Sequence, residues 1–183
     1  MSLQVFILGL LSEGEHHPYD IKKKVLKPLD NTVTINDGTL YYQFDVLQKK
    51  GYIRKTEVVQ SENRPEKTMY SITDEGRKAL EEEIYAMFRN FTSIYSLYSS
   101  LMFLDKADPR KLAYLIEEAI GRLNKRLELI ERNDPEQFDI GADKKEAVGL
   151  IAEHARSSIQ NDAAWLQKLL AYVQSRISAA ELP

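Results

Sequence analysis

Cysteine is absent from this chain of 183 residues, which excludes disulfides, thiolate metal sites and cysteine nucleophiles together. Histidine is scarce. His16 and His17 sit side by side before Pro18, and His154 is far away in the sequence, so no metal-ligand spacing exists and no cofactor is expected. There is no GxSxG, no GxxxxGK and no GxGxxG, hence no sign of a nucleophile elbow, a phosphate loop or a dinucleotide site. Glu81-Glu82-Glu83 reads as the acidic early turns of a helix rather than a catalytic dyad. No apolar run reaches the roughly 18 residues of a membrane span. The apolar N-terminal stretch has no basic residue before it and no small-residue cleavage site after it. A non-enzymatic chain located in the cytoplasm, without membrane contact, is expected. A basic surplus is missing too: the net charge is −3, and residues 1–77 carry 11 basic and 11 acidic side chains.

What is present is an order of elements. Leu3, Phe6, Ile7, Leu10 and Leu11 repeat at the spacing of an amphipathic helix that Gly14 ends. Pro18 can open a second helix, because it lacks a donor that would be unpaired there; Tyr19, Ile21, Val25 and Leu26 form its apolar side. Leu29–Ile35 connects to a third helix that Asn36 or Asp37 can cap, with a stripe at Leu40, Phe44 and Leu47. Gly51 closes that helix. Two alternating segments follow, 52–59 and 67–72, joined by the polar loop 60–66. Three helices and a hairpin predict a winged helix-turn-helix over residues 1–77, a DNA-binding domain.

A neutral domain binds DNA only if its charges are sorted by face. Lys22, Lys23, Lys24 and Lys27 cluster on the second helix, Lys49, Lys50, Arg54 and Lys55 flank the start of the hairpin, and Arg64 and Lys67 sit at the loop. Phosphate contacts are expected from Lys22, Lys23, Lys49, Arg64 and Lys67, and Asn36 at the start of the third helix counts among the expected DNA-binding residues. A recognition helix reads bases mainly with its N-terminal residues. Gln43 can pair with adenine, Thr39 can bond a phosphate or touch a thymine methyl, and Tyr42 can reach the backbone. Gly38 lets the helix start approach a phosphate. Asp37 is awkward there, since its carboxylate repels phosphates. Tyr41 borders the apolar stripe, and periodicity alone makes it a packing residue.

The segments FILGLLSEGEHHPYDIKKK (6–24), DGTLYYQFDVLQKKGYI (37–53) and KTMYSITDEGRKAL (67–80) resemble the PadR family of bacterial transcriptional regulators. The Gly38-Thr39-Leu40-Tyr41 helix start, the Gly51-Tyr52-Ile53 exit and the Tyr70, Thr73, Gly76 end of the wing occur in the family's order. The resemblance implies a dimeric repressor that binds a palindromic operator on double-stranded DNA and lets go when a small molecule binds. It places Gly38, Thr39 and Tyr41 at the recognition-helix start and Tyr19 on the family's tyrosine of the second helix. Where the family often has prolines before the motif glycine and after the motif tyrosine, this chain has Asp37 and Tyr42, so no operator sequence carries over.

Residues 78–183 predict an all-α domain for dimerisation and effector binding. The fourth helix is expected to run well past Leu80, with apolar residues recurring through Leu101 and Met102. A further helix begins at Asp108-Pro109, and a last one spans about Lys144 to Ser178. Such stripes must be buried, and a second copy of the chain is the natural place. Leu101, Leu112, Ile116, Ile159, Leu166, Leu169, Leu170 and Val173 are the expected dimer residues, making a homodimer the expected assembly. Length and helical pattern resemble the longer PadR type, which shares the helical domain of AphA-like activators. Phenolic acids, the ligands of the best-known family branch, suit the aromatic content of this half; Trp165 is the candidate lining residue, although a place in the core or the dimer interface accounts for it better. Two other readings stay open: an activator of the same fold, and a module whose winged helix docks protein instead of DNA.

Overall fold

The computed structural model describes residues 2–26, 36–59, 67–132 and 141–180. In chain order these hold α1 (Leu3–Glu13), α2 (Pro18–Leu26), α3 (Asp37–Lys49), β1 (Ile53–Val59), β2 (Lys67–Ile72), α4 (Asp74–Arg89), the short α5 (Tyr98–Leu101), α6 (Pro109–Arg132) and α7 (Ala142–Ala180). The fold is mainly α with one two-stranded hairpin among the described residues, as expected. No helix among them is long and apolar enough to cross a membrane. The chain divides into two compact units, Met1–Met87 with Tyr95–Ala107, and Phe88–Ile94 with Asp108–Pro183.

At the centre of the first unit is α1. Its spacing predicted one apolar face, but Val5 through Leu11 are all buried. A helix that is apolar all round has to be enclosed, and here Gly9 permits it: a Cβ at that position would lie 2.4 Å from the ring of Phe103. Phe6 meets the same ring edge-on, with centroids 6.4 Å apart. Ser2 caps the helix and donates its backbone N–H to Ser99 Oγ at 3.1 Å.

The hairpin pairs Ile53 with Ile72 and Lys55 with Tyr70, then shifts register before Val58 meets Thr68. Where the chain leaves it for α4, Thr73 does double duty: its hydroxyl donates to the Gly51 carbonyl at 2.7 Å and accepts from the Gly76 N–H at 3.0 Å. Gly51 itself has φ +74°, a left-handed conformation that glycine adopts without penalty. A Cβ on Gly76 would sit 2.1 Å from the Tyr52 carbonyl oxygen, so only glycine lets α4 start this close to β1. The apolar pattern beyond Leu80 does not continue as one helix. After Arg89 the chain runs Asn90-Phe91-Thr92-Ser93, four residues of middling to poor helix propensity, and resumes in short turns at Ile94–Leu97, α5 and Leu104–Lys106.

In the second unit, α6 and α7 pack along each other. Asp108 Oδ1 caps α6 by accepting from the Arg110 N–H at 2.7 Å. Leu112, Leu115, Ile116, Ala119 and Leu123 of α6 are buried, as are Ile159, Ala163, Leu166, Leu169 and Val173 of α7. Arg122 donates to the Phe88 carbonyl at 3.0 Å, which satisfies one of the four carbonyls that a helix end leaves without intrahelical partners.

Candidate nucleic-acid interface

α3 is anchored from below and presented from above. Leu40, Phe44 and Leu47 are 1%, 1% and 0% exposed, while Asp37, Gly38, Thr39, Tyr41 and Tyr42 are exposed and Gln43 and Val46 half-buried. The expected stripe is thus buried, and the residues expected to read DNA lie on the exposed or half-buried side. Asn36 is the cap: its Oδ1 accepts the Thr39 N–H at 2.7 Å, and its carbonyl accepts from Leu40. Asp37 is left free of capping duty and binds Lys22 of α2 instead, Nζ to Oδ1 at 2.5 Å.

That ion pair removes the difficulty posed by Asp37. A carboxylate in the first turn of a helix is favoured by the helix dipole, yet it would repel the phosphates that approach a recognition helix. Lys22 supplies the opposite charge and ties α2 to the start of α3. Lys22, expected to contact phosphate, holds Asp37 here while its side chain stays partly exposed. Lys23 and Lys49 remain exposed, whereas Lys50 lies over the Tyr52 ring, 5.8 Å from its centroid.

Tyr41 corrects an expectation. It is 45% exposed and lies on the open side with Tyr42, because a helical residue one position beyond Leu40 is turned about 100° away from it. Tyr19 is exposed as well, its N–H bonded to His17 Nδ1 at 3.1 Å. Arg64 falls outside the described residues, and for Lys67 only the backbone is described, paired with Val59.

One structural link escaped the sequence. His16 exchanges two backbone hydrogen bonds with Tyr70, both 3.1 Å, and so forms a bridge on the free edge of β2. Thr56 of β1 donates to Glu15 at 2.9 Å. Together they fasten the wing to the α1–α2 turn. The Tyr70 ring packs edge-on to Phe44, centroids 4.9 Å apart, so hairpin and α3 share one core. Burial, then the charges of Asp45 and Tyr41, push the Tyr70 hydroxyl above its usual 10.0.

The expected dimer residues have a different fate. Leu112, Ile116, Ile159, Leu166, Leu169 and Val173 are buried within the protomer, which leaves them no surface for a second copy; Leu101 and Leu170 are half-buried. Among the described residues of this unit, the large apolar side chains exposed are Tyr114, Leu129, Leu150, Ile151 and Tyr172. Trp165 is half-buried. Among the described residues, no group of three His, Cys, Asp or Glu side chains is placed to hold a metal ion.

Residues 7–82 match the model of the Transcriptional regulator PadR-like family. No curated protein matches the chain at a significant level. Among solved structures, a transcriptional regulator from Clostridium thermocellum is 34% identical, over 44% of this chain and 74% of its own, with TM-score 0.40. Bacillus subtilis PadR in complex with operator DNA is 21% identical, over 93% and 98%, with TM-score 0.41. The same protein in complex with p-coumaric acid is 20% identical, over 94% and 98%, with TM-score 0.39.

Proposed function

This chain belongs to the PadR-like family of transcriptional regulators, and we propose that it is a homodimeric repressor of a palindromic operator. In this reading residues 1–77 bind DNA, residues 78–183 dimerise and take a small-molecule effector that releases the operator, and the protein works in the cytoplasm. The observation that carries the reading is the presentation of α3. Thr39, Tyr41, Tyr42 and Gln43 project from a helix whose other side is locked into the core, and the one acid at its start is neutralised by Lys22.

Dimerisation is supported by α7. Leu150, Ile151 and Tyr172 are exposed and fall within about 100° of one another around the helix axis, at 3.6 residues per turn. A second copy facing this strip gives two recognition helices for the two halves of a palindrome. Sedimentation is expected to show a dimer, and Leu150→Glu with Ile151→Glu a monomer; a wild-type monomer overturns the assembly.

The DNA reading is tested by a mobility shift of the full chain on its own promoter region at two salt concentrations. A discrete complex that weakens steeply with salt is expected, because phosphate contacts release counterions. No salt-sensitive complex there, and none after selection from random duplexes, overturns the reading in favour of a protein-docking module.

A further inference from the structure

Within the first unit a cavity of about 260 Å³ is lined by Ser12 at the end of α1, by Arg77, Lys78, Leu80 and Glu81 of α4, and by Lys106. Three cations, one carboxylate and a single apolar side chain thus share its lining. None of these residues belongs to the recognition surface. Arg77 Nη1 reaches the Ser12 carbonyl at 3.4 Å, a long bond for a guanidinium that carries five donors. Lys106 pairs with Asp105, which stands outside the lining, at 2.5 Å. Glu81 is held in place: its Oε1 accepts the Tyr85 hydroxyl at 2.5 Å.

We propose that this cavity binds a small phosphate monoester that also carries hydroxyl groups. A guanidinium fork beside two ammonium groups suits a tetrahedral oxyanion, the first by paired hydrogen bonds and the others as point charges. Glu81 supplies the selectivity. An ionised carboxylate only accepts, so it repels a bare anion and bonds a ligand hydroxyl. The volume lies below the roughly 300–1,000 Å³ of pockets for drug-sized ligands, which sets the scale at a small metabolite. Binding at this cavity is read without DNA, so its failure is distinguishable from failure of the DNA reading.

The test is calorimetry on the full chain without DNA, using glycerol phosphate, inorganic phosphate and glycerol at constant ionic strength. Glycerol phosphate is expected to bind, inorganic phosphate more weakly, and glycerol not at all. Arg77→Ala and Lys106→Ala each weaken glycerol phosphate about tenfold or more, the effect of losing a charge-assisted hydrogen bond. Glu81→Gln erases the preference for the ester over inorganic phosphate. Melting curves check that each variant is folded, and Lys78→Ala, at an exposed position, replaces Arg77→Ala if that variant is not. Absence of binding by both phosphate compounds overturns the proposal, as does unchanged affinity in the folded variants. It also fails if these variants lose affinity for all DNA sequences alike with no phosphate compound present, which assigns the cations to the duplex.

Discussion

In the first unit, particular polar groups fix the joints between elements: Asn36 starts α3, Thr73 joins hairpin to α4, and Lys22 pins Asp37 across two helices. In the second unit, helices of 24 and 39 residues hold together through rows of leucine, isoleucine and alanine. A reading surface needs side chains fixed in direction, and that takes particular residues at particular places. A helix pair needs only enough apolar volume in register, which many sequences supply.

The contrast is broken most forcefully at two glycines. Gly76→Ala drives a methyl to 2.1 Å from the Tyr52 carbonyl, and such overpacking costs about 3 kcal/mol. Gly149→Ala in α7 meets nothing within 4 Å and stabilises by about 1 kcal/mol, the helix-propensity difference. Chemical denaturation of the two variants should therefore shift in opposite directions. A tolerated Gly76→Ala removes the claim that the start of α4 is fixed by one residue.

Next in size is the division of labour on the DNA face. Gln43→Ala is expected to lose about 1–3 kcal/mol of discrimination at one base position. Lys23→Ala should weaken all sequences alike and lower the salt slope by about one unit. Competition binding against a panel of single-base variants separates the two; equal loss of preference in both mutants refutes the assignment. Smaller again is the ion pair beneath. Lys22→Ala exposes Asp37 to the phosphates and should weaken DNA about tenfold, since a nearby unit charge at the surface is worth roughly 1 kcal/mol or more. Adding Asp37→Asn should restore most of that affinity. If it restores none, Lys22 touches phosphate after all.

How much was legible in the sequence follows the same divide. The stripe Leu40, Phe44, Leu47 and the glycine exit were readable, because each depends on residue type at a fixed spacing. The His16–Tyr70 bridge was not, since it is made of backbone groups that every residue carries. Nor was the Lys22–Asp37 pair, which joins residues 15 apart through the angle between two helices. In the second unit, periodicity located α6 and α7 but could not say which partner covers the stripe. Leu166 and Ile116 looked suited to a second copy and are covered within one. Tyr41 shows the limit at its finest: periodicity alone points it at the core and the family resemblance at the helix start, and one step around the helix from buried Leu40 turns it outward.

The smallest expected effect contrasts the two units through one carboxylate each. Asp162 lies on α7 between the buried Ile159 and Leu166, and burial pushes its carboxyl above the usual 3.8. The folded chain then holds this proton more tightly than the unfolded chain. Its favourable contribution is complete below pH 3.8 and is lost as pH rises through the raised value. At neutral pH the ionised group is a liability, so Asp162→Asn should raise Tm slightly at pH 7 and not at pH 3. Asparagine and aspartate have similar helix propensity, so the pH dependence reports the charge. Asp37→Asn, in the first unit, should instead lower stability at pH 7 by up to about 1 kcal/mol, the upper range for an exposed ion pair. Melting curves of both variants at the two pH values decide it: gains at Asp162 that persist unchanged at pH 3 mean that packing, not ionisation, sets the effect.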